Sequence, residues 1–342
     1  MLQTKDEPQE EESMNFRLLT LDAVRLTELA AIGASRYMGW GDKEAADQAA
    51  VDAMRDMFQY VPVQGTVVIG EGEKDEAPML YVGEEVGSGD GPEVDIAVDP
   101  LEGTTLVAKG GMGALCVVAM GPKGAFLNAP DVYMMKLAVG PEARGKIDLD
   151  DPFEDNVRRV AEARDKSLRS LTCILLDRPR NQPYIETLRQ LGCRIKLIEH
   201  GDVSASLATC LSESGVDLLA GIGNSAEGVL SAAALQCFGG DFQGQLNPIG
   251  EPQHERLERM NFENHQQKYE IEDLASDKDL LFSCTGVTDG DFLDGVYYDG
   301  RDIITHSMVL RSAKGTRRFV ETVHCEDEKL DLTDDAPLVL RR

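Results

Sequence analysis

Apolar and polar positions alternate most sharply over residues 94–99, where Val94, Ile96 and Val98 are β-branched and the positions between them are short or acidic. That period suits a strand with one buried face, and Pro100, which lacks a backbone donor, predicts that its ladder stops there with Asp99 at the end. Residues 66–69 read as a shorter strand entering Gly70-Glu71-Gly72-Glu73-Lys74-Asp75-Glu76, a glycine-permitted turn rich in acids. Upstream, Leu18, Leu21, Val24, Leu29 and Ile32 recur at near-helical spacing until Gly39-Trp40-Gly41 breaks the run. Asp42 then reads as the N-cap of a second helix, with Ala46, Ala49, Ala50, Ala53, Met54 and Met57 on a narrow small-residue face. Residues 114–120 and 133–139 predict two further strands, joined through Gly121-Pro122-Lys123-Gly124 into an antiparallel sheet.

The texture changes after Gly140-Pro141, and Asp148-Leu149-Asp150-Asp151-Pro152 reads as a boundary. Strands at 171–176, 195–198 and 216–220 alternate with helices at 184–191 and 203–211, the rhythm of a parallel sheet. Their ends carry polar groups: Asp177-Arg178-Pro179-Arg180, His200-Gly201-Asp202, and a glycine-rich loop from Gly221 through Asn224 and Glu227 to Gly228. Arg178 and Arg180 are closely spaced forks that match phosphate, and the glycine-rich loop could offer amides to an anion. Residues 253–268 read as a polar helix or loop, 280–287 as a strand, and 303–310 with 317–323 as a hairpin. The fold class is therefore α/β, α+β in its first half and α/β in its second. The expected division is an acidic tail at 1–14, an α+β unit at 15–150, an α/β unit at 151–325 and an exposed tail at 326–342.

Charge narrows the function. The 61 acidic residues outnumber 34 basic ones, for a net charge of −27, and such a field repels nucleic acid and anionic membranes. An anionic substrate would need bound divalent cations and a few well-placed arginines. No signal peptide and no apolar run of membrane-spanning length is read from the sequence, so a cytoplasmic protein is expected. The seven cysteines include no CxxC pair, which points to reduced, mostly buried thiols, with a regulatory disulfide as the alternative.

Asp99 and Glu102, separated by a proline-fixed bend, can turn toward one point, and two carboxylates sharing a point need a cation. Gly103 lets the backbone approach a ligand, and Thr104 supplies a hydroxyl. A turn with helix-capping acids accounts for the same residues, and Asp47 has an equally plain explanation as an acid near a helix start. Glu227 could be a metal ligand or an N-terminal helix acid, and Tyr133, after the loop Asn128-Ala129-Pro130-Asp131, could face a ligand or pack.

Taken together, residues 67–73 and 75–81, the run Asp95-Ile96-Ala97-Val98-Asp99-Pro100-Leu101-Glu102-Gly103-Thr104, and Ala129-Pro130-Asp131 before Tyr133-Met134 closely resemble the class II fructose-1,6-bisphosphatases. That family includes dual fructose-1,6-/sedoheptulose-1,7-bisphosphatases, and the resemblance runs from about Leu21 to His324. It implies a layered α-β-α-β-α sugar phosphatase fold and two or more Mn²⁺ or Mg²⁺ ions per site. Asp47 and Glu71 would hold one ion, and Asp99, Glu102 and Glu227 a second. Thr104, Asp47 and Glu102 would be catalytic. Substrate would lie against Glu102, Gly103, Thr104, Tyr133, Arg178, Pro179, Arg180, His200, Gly201 and Asp202, with Asn224 near the sugar. The partner implied is a small sugar bisphosphate, in a homo-oligomer, dimer or tetramer. His200 and Asn224 depart from the family pattern, in which many relatives have an acid and a glycine. An inositol-monophosphatase-like enzyme and a non-catalytic sugar-phosphate-binding regulator are the alternative readings.

Overall fold

The computed structural model describes residues 16–72, 79–260, 262, 266–276 and 279–325. The two expected tails and the acids Glu73, Asp75 and Glu76 lie outside the described residues. Helix α1 (Thr20–Ser35) packs on α2 (Lys43–Phe58). Asp42 caps α2 as its sequence predicts, its side chain accepting from the Ala45 N–H at 2.9 Å. Ala46, Ala50, Ala53, Met54 and Met57 are buried, and Gly33 lets α1 approach so closely that a Cβ there would lie 2.7 Å from the Ala49 carbonyl oxygen.

The first sheet has eight strands among the described residues: β1 (Gln64–Ile69), β2 (Glu85–Val86), β3 (Glu93–Glu102), β4 (Leu115–Pro122), then β11 (Leu281–Gly286), β12 (Tyr297–Asp299), β13 (Asp302–Arg311) and β14 (Thr316–Cys325). The second has six: β5 (Tyr133–Val139), β6 (Thr172–Leu176), β7 (Arg194–Ile198), β8 (Leu218–Asn224), β9 (Asp241–Leu246) and β10 (Lys268–Tyr269), in the order β10-β9-β5-β8-β6-β7. Strands β6, β7 and β8 are parallel, as their rhythm predicted, whereas β5 runs antiparallel between β8 and β9. The antiparallel pairing expected between residues 114–120 and 133–139 is not made. Strand β4 pairs with β3 and β11, while β5 crosses to the second sheet. The ten residues between β4 and β5 exceed a hairpin turn, which leaves the chain free to change layers. Sheet membership also disregards the division expected at 150, because β5 precedes that point and β11 to β14 return to the first sheet.

Three buried clusters separate five layers. Helices α1 and α2 meet Val94, Ile96 and Val98 of β3 and Cys116, Val118 and Met120 of β4. The other face of that sheet, with Ala97, Val117 and Ala119, shares a core with α6 (Asp202–Ala208), α7 (Ser225–Phe238) and the inner face of the second sheet. Beyond it, Leu137, Cys173 and Leu218 pack on α4 (Phe153–Ala163) and α5 (Gln182–Leu191). The order is α-β-α-β-α.

Strand β3 does not stop at Pro100. It runs to Glu102 with a register irregularity: Asp99 opposes Val117 and Glu102 opposes Leu115, three steps on one strand against two on the other. A proline is tolerated at such a bulge, where one residue has no ladder partner. The extra residue inverts the alternation, so Leu101 joins the α1/α2 core that holds the even positions before it. Glu102 consequently shares the inner face with Asp99.

Candidate active site

The acids gather in the middle layer, at the ends of strands and the starts of helices. Glu102, 2% exposed, ends β3, and Gly103 in the left-handed region (φ 91°) turns the chain into α3 (Thr104–Lys109). Both Glu102 oxygens accept backbone hydrogen bonds, Oε1 from Val203 N–H at 2.7 Å and Oε2 from Ser204 N–H at 3.1 Å. Those amides open α6, whose first residue is Asp202, again preceded by a left-handed glycine, Gly201. Ligand atoms of Glu102, Asp202 and Glu227 lie within 4.8 Å of one another.

Electrostatics makes this cluster costly without a cation. Burial, then the charges of Asp99 and Asp202, push the Glu102 carboxyl well up, although the two amides work the other way. Asp99 is driven up by burial and then by Glu71 and Asp47, and Glu71 is pushed to about 8 by burial and then Asp47. Asp47 is raised by burial and by Glu44. Glu227 is raised by burial and then by Asp202. Asp202 goes down: burial opposes its charge, but Lys136, 2.6 Å from its Oδ2, together with hydrogen bonds from Glu227 and the backbone, outweighs that. Its Oδ1 is buried without a hydrogen-bond partner. An all-carboxylate set with an unpartnered oxygen fits a hard divalent cation.

A cavity of about 290 Å³ borders this cluster, lined among others by Glu71, Asp99, Asp131, Asn224, Glu227 and Arg256. His200 and Gly201 line a different cavity of about 300 Å³, with Lys196, Glu199 and Ser204. His200 Nε2 is 3.5 Å from an Arg178 nitrogen, and burial, then Arg178, hold its pKa below the ordinary value. Arg178 gives its terminal nitrogens to the carbonyls of Asp177 (3.1 Å) and Glu199 (2.5 Å). Pro179 opens the short turn to Arg180, whose Nε donates to the Ile222 carbonyl at 2.9 Å. Thr104 is half-buried as the first residue of α3, and its hydroxyl makes no hydrogen bond among the described residues. Gly103, not Thr104, occupies the cap position.

One expectation changes here. The glycine-rich loop is no loop: Gly221 and Gly223 belong to β8, which runs directly into α7. The glycines make room for side chains, since a Cβ on Gly223 would lie 2.0 Å from Asp202 Oδ2 and one on Gly221 2.9 Å from Asn181 Oδ1. Asn224 is the N-cap of α7, accepting from Ala226 N–H at 2.9 Å and donating to Asp131 at 2.7 Å, while Glu227 completes the capping box by accepting from Asn224 N–H at 3.3 Å. Glu227 therefore caps and converges on the acids at once.

With this geometry in place, similarity to known proteins becomes decisive. Residues 17–324 match the family described as bacterial fructose-1,6-bisphosphatase, glpX-encoded. The chain belongs to this family. A relative named D-fructose 1,6-bisphosphatase class 2/sedoheptulose 1,7-bisphosphatase, from Synechococcus sp. (strain JA-2-3B'a(2-13)), is 44% identical over 334 residues, spanning 90% of this chain and 96% of the relative. Fructose-1,6-bisphosphatase 1 class 2 from Escherichia coli (strain K12) is 45% identical over 326 residues, spanning 92% and 97%. The glpX-type match runs from α1 into β14, so both sheets and every acid of the cluster lie inside it. No helix among the described residues is long and apolar enough to cross a membrane.

Lys136 is the site residue that the sequence reading missed. It sits in β5 with its side chain 1% exposed, between Asp202 and Glu227. A signal was present: a lone charge within Tyr133-Met134-Met135-Lys136-Leu137-Ala138-Val139, which a buried strand tolerates only when paired.

Proposed function

We propose that this chain hydrolyses the 1-phosphate ester of fructose 1,6-bisphosphate to fructose 6-phosphate and inorganic phosphate. The observation that carries the reading is the convergence of the buried carboxylates of Glu102 and Asp202 with the half-buried carboxylate of Glu227 in a chain of the glpX-type fructose-1,6-bisphosphatase family. Asp47 and Glu71 would hold one divalent cation and Asp99, Glu102 and Glu227 another, Mn²⁺ or Mg²⁺ being the ions suited to oxygen donors. Bound there, such ions supply neutralisation of phosphate charge and Lewis-acid polarisation.

The protein's own groups do the positioning. The free hydroxyl of Thr104 orients a water for attack; the water oxygen forms the new bond to phosphorus as the bond from phosphorus to the C1 oxygen breaks, and a proton given up by that water ends on the C1 oxygen. Arg178 and Arg180 grip the phosphate that does not react, so that its binding energy is spent on orientation. Tyr133, His200, Gly201 and Asp202 would lie against the substrate, with Asn224 near the sugar, and a homo-oligomer is the assembly we propose.

Phosphate release from fructose 1,6-bisphosphate, with Mn²⁺ and with a strong chelator, tests the reading. Sedoheptulose 1,7-bisphosphate is assayed in parallel, because the Synechococcus relative bears the dual name, and inositol 1-phosphate serves as the control. Turnover that needs Mn²⁺ and prefers a bisphosphate is expected. Full activity in chelator would remove the metal assignment, and preference for inositol 1-phosphate would remove the substrate assignment.

A further inference from the structure

Lys136 has no place in the reaction as derived so far, yet it occupies the centre of the site. Its ammonium lies 2.6 Å from Asp202 Oδ2 and 3.7 Å from Glu227 Oε2. It shares the inward parity of β5 with Met134 and Ala138, which face the middle-layer core. The surroundings are shaped to admit it: a Cβ on Gly223 would stand 3.0 Å from Lys136 Nζ as well as 2.0 Å from Asp202 Oδ2, and a Cβ on Gly228 would stand 3.5 Å from Lys136 Cε.

Lys136 holds one oxygen of Asp202 and leaves the other, Oδ1, buried and unpartnered. Asp202 is also the first residue of α6, and the next two amides hold both oxygens of Glu102. A chain of direct contacts therefore runs from β5 through Asp202 and the start of α6 to the end of β3.

We infer that Lys136 is a positioning residue: it fixes Asp202, and through the start of α6 the Glu102 carboxylate, so that Glu102 and Glu227, two of the three acids assigned to the second ion, stand ready for a divalent cation with Asp202 Oδ1 as a further oxygen donor beside them. The inference deepens the proposed metal-dependent reading, and its test is made without turnover.

The sign of the effect separates positioning from bare charge. If Lys136 only offset negative charge, removing it would leave a more negative pocket and tighter metal binding. If it positions the acids, removing it lets three carboxylates move apart and weakens binding, as loss of a residue that orients metal ligands does by about 10- to 100-fold.

Mn²⁺ is titrated into the metal-free full-length protein by calorimetry for wild type, Lys136→Met, Asp202→Asn and the double variant. Lys136→Met is expected to weaken Mn²⁺ binding at least about tenfold, yet by less than about threefold in the Asp202→Asn background, since residues that act through one another are not additive. Unchanged or tighter binding in Lys136→Met, or an equal loss in both backgrounds, overturns the inference. Should Lys136→Met fail to fold, Gly223→Ala disturbs the same contact without changing any charge, and it must weaken Mn²⁺ binding to a similar degree; normal affinity in Gly223→Ala overturns the inference as well. The two readings fail separately. Absent turnover of sugar bisphosphates by wild type would remove the substrate assignment while the Mn²⁺ titrations still decide the role of Lys136.

Discussion

The guanidinium carbon of Arg180 lies 4.3 Å from the centroid of the Tyr133 ring. Tyr133 opens β5 and opposes Asn224, the last residue of β8, so the contact ties the arginine to the edge of the acid cluster. Stacking on the ring and the bond from Nε to Ile222 fix the plane of the fork. The terminal nitrogens of Arg180 have no protein partner among the described residues, whereas those of Arg178 are spent on backbone carbonyls. Arg180 is therefore the better placed to grip a distal phosphate. Arg180→Ala should lower kcat/KM for the bisphosphate by about tenfold to a hundredfold, the worth of a charge-assisted bond. A small monophosphate should lose much less, and Arg178→Ala should cost less than Arg180→Ala on the bisphosphate. Equal losses on bisphosphate and monophosphate would place Arg180 at the scissile group or in the scaffold.

Thr104 presents a simpler test, because its hydroxyl neither caps α3 nor bonds elsewhere in the described residues. If it orients water in the transition state, Thr104→Ala should cut kcat by about 10²-fold or more with KM little changed. Thr104→Ser, which keeps the hydroxyl, should recover most of the rate. A near-normal kcat in the alanine variant would confine Thr104 to packing.

Glu71 gives the metal-free protein a pH dependence of defined sign. Its carboxyl is pushed from 4.5 to about 8 by burial and then by Asp47, so between those values the folded chain holds a proton that the unfolded chain has released. Stability then falls as pH rises through this window. In chelator, the melting temperature should decline from pH 5 to pH 8, and Glu71→Gln should flatten part of the decline. Asp47, Asp99, Glu102 and Glu227 are all shifted upward and add to the same slope. Bound Mn²⁺ should reverse it, releasing protons on binding near neutral pH. A melting temperature that rises across this window without metal would mean that the acids are ionised in the folded state.

Much of this site is legible in the sequence where chemistry is local. Asp42 as a cap, the alternation of β3 and the parallel rhythm of β6 to β8 follow from side-chain period and hydrogen-bonding chemistry, which neighbouring residues already contain. The bulge at Pro100 does not: a proline stops a ladder or sits in a bulge with the same local signature, and only pairing with β4 distinguishes them. Glu102 faces Asp99 because of that pairing. The crossing of β5 to the second sheet is hidden for the same reason, and with it the approach of Lys136 to Asp202 across 66 positions. Gly223 looked like a loop glycine because its actual cause, a carboxylate 2.0 Å from where a Cβ would stand, is a tertiary contact.

The packing of α1 on α2 supplies the last prediction. Gly33 lies within α1, where alanine would ordinarily stabilise a helix by roughly 0.5–1 kcal/mol. Here the added Cβ would stand 2.7 Å from the Ala49 carbonyl oxygen and 3.2 Å from its carbon. The obstacle is helix backbone rather than the end of a mobile side chain, so the helices must separate, and overpacking of this kind costs about 1–3 kcal/mol. The clash should win, and Gly33→Ala should lower the melting temperature. Because α2 carries Asp47, one turn before Ala50 and Val51 of the buried face, the displaced helix should also weaken Mn²⁺ binding at the Asp47 and Glu71 pair. A melting temperature at or above that of wild type would show that α1 and α2 part without cost, and unchanged Mn²⁺ affinity in a destabilised variant would detach Asp47 from the metal site.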